Sequence, residues 1–176
     1  MTIDPEEAAA ALHSIDRTRR HAGELRNYAA GGNILIVWGL VWVAANLATQ
    51  FHPEYGKAAW GVSIPIAVIW SAFQGHGGKS DGRIVLTAIA GVCLLPILQL
   101  MIGIHDPRLS TALASLLVGV IYVVSGIWVG VRYAWLGLFL VGAVLVGWFA
   151  MPQWLYLMLA LGGVALIVNG LWWRRA

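Results

Sequence analysis

The sequence predicts an all-α polytopic membrane protein: six transmembrane helices in three hairpins, preceded by an N-terminal cytoplasmic amphipathic helix. Three observations carry this reading. Of 176 residues, 60% are hydrophobic and 11% charged, against about 25% charged in a typical soluble domain. A globule of this length has too little interior to hide so much apolar surface, and the mean hydropathy is +0.77. The apolar residues also fall in long, continuous, uncharged runs, which suit bilayer-spanning helices; barrel strands would alternate. Finally, the basic residues lie mostly on alternate connecting segments, which sets an orientation.

Residues 1–32 form the first unit, expected as a cytoplasmic or interfacial amphipathic helix. Asp4 is placed to cap it, Pro5 takes the first helical position, and Glu6 and Glu7 complement the first turn. Ala8, Leu12, Ile15, Ala22, Leu25 and Ala29 recur at three- to four-residue spacing, and Asp16, Arg20 and Glu24 are spaced for i,i+4 pairing. Arg17, Arg19, Arg20 and Arg26 are near enough to the bilayer to meet anionic headgroups. Gly31 and Gly32 then turn the chain into the membrane. Residues 33–173 form the six-helix domain, with spans at about 33–51, 59–74, 84–104, 111–131, 134–150 and 154–173, and 174–176 form a cytoplasmic tail. The second and fifth runs are the shortest, yet within the ~17 residues that a locally thinned bilayer tolerates. The first run is as long as a full span and has no small-residue cleavage site, so it reads as a membrane helix, not as a secretory signal.

With the amino terminus inside, Arg17, Arg19, Arg20, Arg26, Lys79, Arg83, Arg132, Arg174 and Arg175 are cytoplasmic, and only Lys57 and Arg108 are outside. Both termini then face the cytoplasm, and a bacterial inner membrane is the natural setting. Trp60, Trp148 and Trp154 fall near outer span ends, and Trp70, Trp128, Trp135, Trp172 and Trp173 near inner ends, as aromatic belts do. Trp38 and Trp42 lie deeper. Each outer turn holds a proline, Pro53, Pro107 or Pro152, which ends a helix and suits a tight turn.

Small residues four apart let helix backbones approach: Ala44 with Ala48, Ser115 with Gly119, and Gly126 with Gly130. These are the expected helix-packing positions, within the chain or between copies. Pro65 and Pro96 interrupt the second and third spans. Asn46, Gln99 and Asn169 are the costliest side chains to leave unpaired in lipid, so they are expected to face inward, as bonds between helices or as the lining of a pathway.

The chemistry-bearing patterns are thin. No Asp, Glu, Lys, Arg or His falls within an expected span, which argues against a proton-coupled pump. Ser125 and Cys93 have no base at membrane depth, so neither reads as a nucleophile and no catalytic residue is assigned. The lone Cys93 cannot form an intramolecular disulfide. The Gly75 to Ser80 stretch is glycine-rich but lacks the phosphate-loop frame and follows a span in place of a strand. His52, Glu54, His105 and Asp106 are metal-ligand types in two outer turns, but neither pair has chelating spacing, so no metal and no cofactor is expected. The N-terminal segment is too short and too acidic for a DNA-binding domain, and no nucleic-acid partner is expected. The sequence therefore leads to a non-enzymatic protein embedded in the lipid bilayer. It would act by helix-mediated association with itself as a homo-oligomer or with another membrane protein. The alternative is a channel or transporter for a small neutral or weakly polar solute.

Overall fold

A computed structural model describes residues 14–15, 31–75, 94 and 97–174, and every regular element among them is helical. The amphipathic helix expected over residues 1–32 lies outside the described residues but for 14–15 and 31–32; Gly31 and Gly32, expected to turn the chain, instead form the first residues of the first spanning helix, where Gly32 allows close approach to Gly170. Most of the third expected span also lies outside the described residues, with Cys93, Pro96 and the 76–80 loop.

Helix α1 (Gly31–Phe51) is separated from α2 (Pro53–Gly75) by His52 alone. The His52 N–H still donates to the Ala48 carbonyl at 2.8 Å, and Pro53, having no N–H to satisfy, opens the next helix. Glu54 sits in that first turn, where the helix dipole favours a carboxylate. The helix therefore begins before the expected apolar span at 59, because its polar first turns precede the apolar run. A helical stretch at 97–102 leads through a turn at Gly103 into α3 (Pro107–Val129). The Asp106 side chain caps α3 by accepting from the Arg108 N–H at 2.9 Å, with Pro107 following, so α3 starts four residues ahead of the expected 111.

Gly130 alone links α3 to α4 (Val131–Leu145), at φ 143°. A side chain is strained at that angle. Helix α4 continues as a π-helical turn, Val146–Ala150, in which Met151 N–H reaches back to the Val146 carbonyl. A 3₁₀ turn, Pro152–Trp154, then starts α5 (Leu155–Trp173).

Four helical segments are long and apolar enough to cross a membrane: Gly31–Phe51, Pro107–Val129, Val131–Ala150 and Pro152–Trp173. Helix α2 has the length, but Glu54, Lys57, Ser63 and Ser71 dilute its apolar character, and it is not among the four. Leu35, Trp42, Leu136, Leu140, Leu166 and Trp173 form one core cluster across α1, α4 and α5, and Ala112, Val144, Leu155 and Leu159 form a second across α3, α4 and α5. Outside these clusters the helices present large apolar side chains: Phe73, Leu100, Ile127 and Phe149 are each at least 75% exposed. Such surface is costly in water and ordinary against lipid tails, consistent with an integral membrane protein.

Candidate functional site

The helices are held at van der Waals limits by glycines. On α1 and α5, Gly39 faces Gly163 and Gly32 faces Gly170, each backbone oxygen lying 2.6–2.9 Å from where the opposing Cβ would be. In the α3–α4 hairpin, a Cβ on Gly137 would come within 2.5 Å of the Gly119 carbonyl oxygen, and one on Gly126 within 2.5 Å of the Ala134 Cβ. Along α1, α3 and α5 these glycines are seven residues apart, the repeat that keeps a left-handed seam on one face of a helix. Four-residue spacing missed Gly39, Gly163 and Gly170, which a seven-residue search would have found. It also grouped Gly126 with Gly130, whereas Gly130 serves the turn. Ser115 and Gly119 are buried; Ala44 is exposed, and its neighbour Ala45 is the buried one. That shift by one residue is a rotation of about 100° around α1.

Among the described residues, the seams draw α1, α3, α4 and α5 together and leave a space between α1, α2 and α3. A cavity of about 1100 Å³ lies there, at the end of the bundle that carries the turns at His52, His105 and Met151. That is slightly above the ~300–1,000 Å³ found for small-molecule sites. Its floor is Trp38, Trp42, Tyr122 and Leu166, its walls include Trp60, Ile64, Ala114 and Val118, and its mouth holds Gln50, Lys57, Asp106 and Arg108. Trp38 is fixed by donating its indole N–H to Ser71 Oγ at 3.0 Å. Ser71 in turn donates to the Ala67 carbonyl. The mouth is tied to the turn at 151–153 twice: Gln50 donates to the Gln153 carbonyl at 3.0 Å, and the Arg108 guanidinium donates to the Pro152 carbonyl.

The three amides separate. Asn46 is wholly buried and donates to the Trp42 carbonyl at 2.9 Å, and Asn169 donates to the Ala165 carbonyl at 2.9 Å. Neither bond joins two helices, because a side chain this short reaches the carbonyl four residues back on its own helix. Gln99 is different: it donates to the Ser110 carbonyl of α3 at 3.3 Å and lines the cavity.

His105 and Asp106 line the cavity, while His52 Nδ1 lies 3.5 Å from Glu54 Oε1 on the exposed surface. Among the described residues no three His, Cys, Asp or Glu side chains converge as a metal site would require. Two tryptophans expected in the interfacial belts pack inward, Trp60 partly and Trp173 wholly buried. Trp60 packs on the first core cluster, and Trp173 is fully buried with its ring centroid 4.5 Å from that of Tyr133. Arg132 lies over the Trp172 ring at 4.7 Å, a cation–π contact at the opposite end of the bundle. Known protein families, curated proteins and solved structures offer no match to this chain.

Proposed function

We propose that this chain is a non-enzymatic, six-span protein of a bacterial-type inner membrane, with both termini cytoplasmic, that takes a small weakly polar solute into the cavity from the outer face as the first step of transport. The observation that carries the reading is the cavity itself, with its apolar aromatic floor and its polar mouth. Gln99, one of the three amides expected to bond helices together or to line a pathway, is on its wall as well as bonded to α3. The orientation rests on the charge asymmetry, which puts the turns at His52, His105 and Met151 outside. Residues 1–30 are assigned to the cytoplasmic membrane surface on the same grounds, Gly31 and Gly32 belonging to α1.

Quenching of tryptophan fluorescence by small weakly polar solutes tests the proposal in purified protein. Quenching that saturates, and that Ala114→Leu abolishes by filling the cavity without adding a fluorophore, supports it. Quenching equal in both proteins contradicts it.

One observation favours association as a second reading. Ala44 is exposed, so its small side chain is free to meet a second copy or a membrane partner, whereas Gly119 and Gly126 already pack within the chain. A monomeric mass in mild detergent, unchanged by Ala44→Trp, argues against self-association.

A further inference from the structure

We infer that the occupant of the cavity is a long-chain amphiphile with an anionic head; this rests on the cavity of the proposed function above and departs from it in the solute, a charged head and a membrane-length apolar part taking the place of a small weakly polar molecule. The first ground is charge. The topology assigns Lys57 and Arg108, alone among the eleven basic residues, to the outer face, against the general bias. Both line the mouth of this one cavity. Among the lining residues the two bases meet one acid, Asp106, whose carboxylate accepts from the Arg108 backbone N–H; Glu54, one turn before Lys57 on α2, lies outside the lining, 3.5 Å from His52. No ion-pair partner of Lys57 occurs among the described residues.

The second ground is depth. Along α1 the lining runs from Gln50 at the mouth to Trp38 at the floor, about 18 Å at 1.5 Å per residue. One leaflet of the hydrocarbon core is about 15 Å. An apolar chain of membrane length therefore fits lengthwise, with its head level with Lys57. A free inorganic or short-chain anion would leave the aromatic floor unused.

The test measures equilibrium binding of radiolabelled palmitate and of hexadecanol, its neutral counterpart, to the full-length protein in detergent, with acetate as a competitor. Saturable palmitate binding is expected, weakened about three- to fivefold by Lys57→Gln, the factor that a single exposed charge contributes. Lys57→Arg should restore it, hexadecanol affinity should be the same in all three proteins, and acetate should not compete. Lys57 is exposed on a helical turn, so these variants keep the fold, and circular dichroism verifies it. Palmitate and hexadecanol binding equally, both indifferent to Lys57→Gln but lost in Ala114→Trp, would overturn the anionic head and leave the cavity reading standing. Effective competition by acetate would overturn the chain-length claim. Binding of both probes that survives Ala114→Trp would overturn the cavity as the site, and the functional reading with it.

Discussion

Two glycines of the same residue type are expected to behave oppositely. A Cβ on Gly163 would lie 2.8 Å from Val43 Cγ2 and 2.9 Å from the Gly39 oxygen, whereas one on Gly142 would meet nothing within 4 Å. Gly163→Ala should therefore cost about 1–3 kcal/mol through overpacking. Gly142→Ala should be neutral or stabilising by up to about 1 kcal/mol, since alanine gives up less backbone freedom in a helix. Thermal unfolding in detergent distinguishes them; equal melting temperatures would refute the α1–α5 seam. The amides divide in the same way. Asn46 Oδ1 is buried without a partner and its amide bonds only within α1, so Asn46→Leu should cost little. Gln99→Leu removes a bond between helices, worth about 0.6 kcal/mol in a membrane protein. Sequence alone could place these side chains at membrane depth. It could not separate them, because the partner of Gln99 is a backbone carbonyl that no residue type advertises.

The helices themselves were largely legible, since continuous apolar runs and proline-bearing turns are local signals. Their ends were less so. Hydropathy marks the lipid-facing part of a helix, while Asp106 and Pro107 at α3, and Pro53 at α2, start the backbone earlier. The α3–α4 link was expected at 132–133 from the charge of Arg132, but the break falls at Gly130, because a glycine at φ 143° turns the chain without any polar residue and Arg132 is already inside α4. Gly130→Ala would force an alanine to φ 143°, and strain of this kind costs about 1–3 kcal/mol. Asp106→Ala should cost about 1 kcal/mol through loss of the cap. The two sites are at opposite ends of α3, so their effects should add. Chemical denaturation of the single and double variants measures this, and strong non-additivity would contradict independent helix ends.

The cavity could not be read from the sequence, because it is a property of how the helices diverge. Four of them are drawn together along glycine contacts, and α2 stands off from α3 where Trp38, Trp60 and Tyr122 line the gap. Each of those aromatics also has an ordinary explanation, in a core or an interfacial belt. The signals available were indirect: Trp38 and Trp42 deeper in the membrane than the other tryptophans, and Lys57 and Arg108 on the side where basic residues are scarce. The central claim is that this space is open to water from the face carrying Lys57. Thiol labelling tests it most directly. In a Cys93→Ala background, single cysteines at Lys57, at cavity-lining Ala114 and at lipid-facing Ile127 are exposed in sealed vesicles to a membrane-impermeant reagent added from one side and then from the other. The account predicts that positions 57 and 114 react from the same side, and that position 127 reacts from neither. Failure of position 114 to react from the side that labels position 57 would contradict it.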